Sequence, residues 1–196
     1  MQVQINDNQV DVDITAVKSV PDLVEFVKSI IDPETIITEL KINNFSLTEN
    51  DWHMPLVAML NRKISFVTGP LNEYVKDRIS NAPSLVDEIT VEFSTASNAF
   101  HSGASQEGNI HFVNAVKDLN EFLKWYSSLL DLKPEMRNEQ TKFLEDMNDL
   151  FKICETLHQQ QVYQSWWNAG ETINNQLKPK LAQIKTTCEN AFSSLD

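Results

Sequence analysis

The chain has 196 residues, of which 41% are apolar and 22% charged, the usage of an ordinary globular protein. Its 16 Lys plus Arg against 28 Asp plus Glu leave a formal charge of −12. That balance repels phosphate backbones and anionic lipid surfaces, so no nucleic acid is expected as a partner; no apolar run approaches the roughly 18 residues of a membrane span, so no membrane insertion is expected either.

A chain of this length buries about 70% of its unfolded surface and needs no disulfide or metal staple. The start, MQVQINDNQVDVDI, lacks the basic and apolar parts of a signal peptide. Cys154 and Cys188 are far apart, fit no metal or redox spacing, and sit at apolar positions of helical patterns. A reducing cytoplasm is therefore the expected compartment, and the sequon at Asn44 carries no weight there.

Residues 1–70 read as a small α+β domain. Val3 and Ile5 alternate with polar residues, as do Val10, Val12 and Ile14, around the turn-forming cluster Asn6-Asp7-Asn8-Gln9. That pattern predicts a β-hairpin. Ser19 and Asp22 form a capping box around Pro21, and Leu23, Phe26, Val27, Ile30 and Ile31 follow at helical spacing until Asp32-Pro33. Residues 35–42, TIITELKI, predict a strand, and Asn43-Asn44 a turn. A short helix or helical turn follows around Trp52, Leu56 and Leu60, shortened by Pro55. His53 beside Trp52 reads as a surface histidine. Ile64, Phe66 and Val67 make a last strand, stopped by Gly69-Pro70. A helix on one face of a four-stranded sheet is the expected packing. The element order, ββα then strand, short helix and strand, resembles the β-grasp folds. The chain has no C-terminal Gly-Gly tail, so the resemblance implies a fold and no carrier role.

Residues 71–196 read as an antiparallel helical bundle of three to four helices. Leu71, Tyr74, Val75 and Ile79 mark a short lead-in helix. Four apolar seams then recur at alternating threes and fours. They run through Ala82–Phe100, Phe112–Leu130, Phe143–Leu157 and Ile173–Leu195. The links are expected at 101–109, where Gly103 and Gly108 lie, and at 131–135, where Pro134 starts the next helix. The third link carries no clear breaker. It falls near 158–165 on matching of helix lengths, or at Gly170 on a stop-and-cap pair with Thr172. Pro179 should kink the last helix.

Strong site motifs are missing. There is no glycine-rich phosphate loop, no G-x-S-x-G elbow and no paired Cys at metal spacing. Glu155-x-x-His158 matches one step of a di-iron bundle, but a second step and the extra inward carboxylates are absent. The chain therefore reads as non-catalytic, with no cofactor and no metal expected.

Two functional expectations remain. The first is a protein-protein interaction or adaptor role. No Lys or Arg falls between Arg78 and Lys117, while Asp87, Glu88, Glu92 and Glu107 do; the plain reading is a solvated helix face, and the sharper one, at Asp87, Glu88 and Glu92, an acidic face for a basic or amphipathic partner. Trp125 flanks the second seam beside Tyr126; large aromatics there can anchor an interface, but packing into the core is the preferred reading. Self-association through the seams is a further expectation of the same pattern. The second is a ligand patch, or a metal site, at one bundle end. An up-down order would gather His101, His111, His158, Trp166 and Trp167 there, together with Glu107, Glu155 and Tyr163.

Overall fold

The computed structural model describes residues 1–13 and 17–195 and has an α+β architecture: a mixed five-stranded sheet, then a helical region. The chain divides into two compact units, Met1–Tyr74 and Val75–Asp196.

In the first unit, β1 (Gln2–Ile5) and β2 (Asn8–Val10) pair antiparallel. Their turn is only two residues long. Asn6 and Asp7 both take positive φ, 47° and 65°, the geometry that matches strand twist. Asn8 and Gln9, expected in the turn, belong to β2 instead. The expected inward Ile14 lies outside the described residues. Helix α1 (Val20–Ile30) starts on the Ser19–Asp22 capping box. The Ser19 hydroxyl hydrogen-bonds the Asp22 N–H and holds the Asp22 carboxyl below the usual range.

Strand β3 (Thr35–Ile42) turns through Asn43 and Asn44, again at positive φ, into a two-residue strand β4 (Phe45–Ser46). This short edge makes the sheet five-stranded where four strands were expected; two residues are too few to leave an alternation signal. Thr48 and Asp51 cap the one-turn helix α2 (Glu49–Trp52), and a 3₁₀ turn follows at Leu56–Met59.

Strand β5 (Lys63–Pro70) runs through Gly69-Pro70 rather than stopping before them. β1 pairs with β5 only as far as Phe66, so Pro70 withholds no N–H that a second neighbour needs. The sheet order is β2-β1-β5-β3-β4, with β1 and β5 parallel. Val20, Leu23 and Val27 of α1 share one core with Val3, Ile42, Ile64 and Phe66. Each such side chain contributes about 1.5–3 kcal/mol by burial.

The second unit is helical. Helix α3 (Leu71–His101) is continuous, although a separate lead-in before residue 82 was expected. Val75, Ile79, Ala82, Val86, Ile89, Phe93, Ala96 and Phe100 form one buried seam across the junction. Their burial outweighs the roughly 3 kcal/mol that Pro83 costs inside a helix.

The link to α4 (Ser105–Asp131) is three residues, not nine. Gly103 takes φ 82°, and the Ala104 N–H reaches back to the Ala99 carbonyl at 2.9 Å. Gly108 is helical and marks a close approach: a Cβ there would meet the Phe100 ring at 2.5 Å.

A 3₁₀ turn at Pro134–Met136 precedes α5 (Arg137–Val162). The third link is the earlier of the two expected, at 163–165, with Gln164 at φ 53°. Helix α6 (Trp166–Thr172) passes through a π-turn at Ile173–Leu177 into α7 (Lys178–Ser193). Pro179 leaves the Asn175 carbonyl without its i+4 donor, and the π-turn falls just before it, where the Lys178 N–H donates to the Ile173 carbonyl.

The helices meet through specific pairs. Phe93 of α3 packs edge-on against Phe112 of α4, with centroids 5.8 Å apart. Tyr126 of α4 packs against Phe143 of α5 at 4.8 Å. Asp146 of α5 accepts from Lys180 and Thr187 of α7. The Ser97 hydroxyl of α3 donates to the Gly170 carbonyl of α6 at 3.0 Å.

Candidate interaction groove

The acidic stretch of α3 divides between two sides of the helix. Asp87 and Glu88 are neighbours in sequence, so they point about 100° apart. Asp87 turns to α7 and bonds Lys185 at 2.6 Å, which holds the Lys185 ammonium above its usual range. The expected three-residue face is therefore two residues, Glu88 and Glu92, one turn apart.

Those two residues edge a groove of about 810 Å³ between α3 and α4. Asp118 and Glu121 of α4 also line it, with Leu85, Ile89, Phe122 and Trp125 between. The Phe93–Phe112 contact fixes the register of the two helices. Glu88 and Asn81 line the groove from α3, and Asp118 and Trp125 from α4. Arg78 closes one end. At the other side Glu92 is bonded by His111 at 2.7 Å, both half-buried. Glu121 lies 3.9 Å from Lys117. Glu88 and Asp118 form no ion pair among the described residues.

Sequence reasoning named Glu88, Glu92 and Trp125 but missed Asp118 and Glu121. Their signal was present: carboxylates three apart on the α4 flank, interleaved with Phe122 and Trp125.

The histidine–tryptophan residues gather only in part. His101 packs on Trp167 with ring centroids 4.5 Å apart, and its Nε2 lies 3.3 Å from a Glu171 carboxylate oxygen. Trp166 stacks on Phe100 at 5.3 Å, and Trp167 stays 61% exposed. His111 belongs to the groove through Glu92. His158 and Glu155 are exposed on α5. Among the described residues, no three His, Cys, Asp or Glu side chains come together as a metal site.

Among the described residues, no helix is long and apolar enough to cross a membrane. No family model matches the chain, and no curated protein or solved structure matches it either.

Proposed function

We propose that the chain is a non-catalytic protein-protein interaction module, an adaptor whose helical unit docks a basic or amphipathic segment of a partner along the α3–α4 groove. The observation that carries this reading is the groove itself, an aromatic and aliphatic floor between two carboxylate edges. We read the first unit as β-grasp-like, supported by its sheet order and the parallel β1–β5 pair. We read residues 71–196 as an antiparallel four-helix bundle, supported by the Phe93–Phe112, Tyr126–Phe143, Asp146–Lys180 and Asp87–Lys185 contacts. Free thiols at Cys154 and Cys188 fit a reducing, cytoplasmic setting.

The test is zero-length carbodiimide cross-linking in an extract of the source cell, which joins carboxylates to lysines in direct contact. The expected result is partner lysines linked to Glu88, Asp118 or Glu121, lost from the Glu88→Lys/Glu121→Lys variant. Partners captured equally by that variant would overturn the reading.

A ligand site at His101 and Trp167 is the second reading, favoured by an exposed indole packed at a tilt against a histidine. It requires a dose-dependent rise in Tm with a metal or metabolite that His101→Ala abolishes.

A further inference from the structure

We infer that the segment held in the α3–α4 groove is an amphipathic helix of about three turns, with Lys or Arg on both flanks of a short apolar stripe. This rests on the interaction reading above and adds the shape and charge of the occupant.

The shape follows from what the walls offer. Both walls are helices, whose backbone N–H and C=O groups are satisfied internally along the groove. An extended peptide gains affinity by adding to an open sheet edge, and the groove has none. A helical peptide brings its own backbone bonds and needs only side-chain contacts. The α3 wall runs from Arg78 to Glu92, roughly 20 Å at about 1.5 Å per residue, enough for three to four turns.

The chemistry follows from the floor and the edges. Leu85, Ile89 and Phe122 give an apolar floor, and Trp125 is half-buried at one end of it. Residues at i, i+3 or i+4 and i+7 of a docked helix reach such a floor together. Glu88 of α3 and Asp118 of α4 line it as like charges, neither in an ion pair among the described residues. A cation on each flank of the incoming helix relieves that repulsion, whereas an acidic or neutral helix leaves it in place. Four carboxylates line the groove against one cation, Arg78 at its end, and Lys117 outside the lining lies beside Glu121.

The experiment uses the full chain and three fluorescein-labelled 14-residue probes. One is a Leu/Lys amphipathic helix. The second has the same net charge and two central prolines. The third is the Leu/Glu counterpart. Binding is read by anisotropy, by peptide helicity in circular dichroism, and by the indole emission that Trp125→Phe removes.

The expected result is that the Leu/Lys helix binds at least tenfold tighter than either other probe and gains helicity. Glu88→Lys/Asp118→Lys should weaken it at least tenfold, while the remote reversal Glu145→Lys changes it less than twofold. Matching thermal melts establish that the variants fold; Asp118→Asn serves where the double reversal does not. Equal binding of the proline-interrupted probe, still sensitive to the groove variants, would overturn the helical occupant and leave the interaction role standing. Binding insensitive to the groove variants, or no binding by any probe at millimolar concentration, would overturn both.

Discussion

His101 stands where a side chain on Gly170 would go. A Cβ built on Gly170 would lie 2.6 Å from His101 Nε2 and 2.9 Å from its Cδ2. The imidazole packs on Trp167 and lies 3.3 Å from Glu171, contacts it must give up to make room. Alanine favours a helix over glycine by about 1 kcal/mol, but here it must displace the ring. Gly170→Ala should therefore lose about 1 kcal/mol in urea unfolding, the cost of overpacking exceeding the gain. In a His101→Ala background the same change should gain about 1 kcal/mol. A double-mutant cycle reads that reversal of sign, and additive effects would show that the two positions do not interact.

Gly108 is a stricter case. Its added Cβ would meet Phe100 ring carbons at 2.5 and 2.7 Å and the Ala96 carbonyl at 3.1 Å. Phe100 is buried and stacked on Trp166 and near Phe112, so neither ring nor backbone can retreat cheaply. Gly108→Ala should cost about 1–3 kcal/mol despite the better helix former. For a unit of this size that is a fall of several degrees in Tm. A rise in Tm would mean that α3 and α4 are free to part.

Asp146 is 1% exposed and serves three donors: Lys180 at 2.9 Å, Thr187 at 2.8 Å and Lys142 at 3.4 Å. Burial alone would raise its carboxyl, but the hydrogen bonds from Lys180 and Thr187 outweigh it and hold the group below the usual range. Lys180 is the mirror case, lowered by burial and raised overall by Asp146 and Asp149. The carboxylate stabilises the fold above its unfolded pKa of about 3.9, and that contribution is lost as pH falls through its lower folded value. The ammonium stabilises below its unfolded pKa of about 10.4, and that contribution is lost as pH rises through its higher folded value. At neutral pH, Asp146→Ala should cost about 1–3 kcal/mol by stripping the buried Thr187 and one carboxylate from Lys180, which keeps Asp149 at 3.1 Å. Asp146→Leu/Lys180→Met should cost clearly less. The gap between wild type and Asp146→Asn in urea melts should narrow as pH falls from about 5 to about 2.

Cys188 should report global opening. Burial pushes its thiol up to about 12, and it is fully enclosed in the core. The Tyr126 hydroxyl is buried beside that thiol, a weak partner, with no stronger one reaching it among the described residues. Burial also raises the half-exposed Cys154 thiol. With a disulfide reagent at about pH 8, Cys188 should react only as fast as the unit unfolds. Gly108→Ala should speed that phase in proportion to its loss of stability. Tyr126→Phe should change stability by less than about 1 kcal/mol, since the lost hydroxyl has little to give up. Fast labelling of Cys188 in the stable wild type would show local access to this core.

What was legible in the chain followed from periodicity. The capping box at Ser19, the run TIITELKI and the seams of threes and fours are repeated signals tied to burial, so the elements they mark were placed within a few residues. The missed features depend on contacts remote in sequence. The strand β4 exists only because Phe45 and Ser46 lie beside Ile42 and Lys41. The split of Asp87 from Glu88 depends on where Lys185 lies. The α4 edge of the groove, Asp118 and Glu121, needed α4 to be packed beside α3. Charge counted along the chain placed Glu88 and Glu92 in one acidic window but could not bring Asp118 to the same groove.

The link between α5 and α6 shows the same limit and yields a last test. The Ser165 N–H reaches the Gln160 carbonyl at 2.8 Å, and the Gln164 N–H reaches Gln161 at 2.9 Å. This closure resembles the one at Gly103, but the left-handed position is held by Gln164 at φ 53°. A non-glycine residue in that region costs about 1–2 kcal/mol. The stretch HQQQVYQS thus gives no breaker, and past the helix end the half-buried Trp166 stacks on Phe100 and Ala169 is buried. Gln164→Gly should relieve the strain and gain about 1 kcal/mol, less the added freedom of the unfolded chain. Gln164→Val, β-branched and poorly suited to positive φ, should lose at least as much. Chemical denaturation of the three proteins checks the order. If valine were as stable as glycine, the link would not hold a left-handed residue, and α5 would continue toward Gly170.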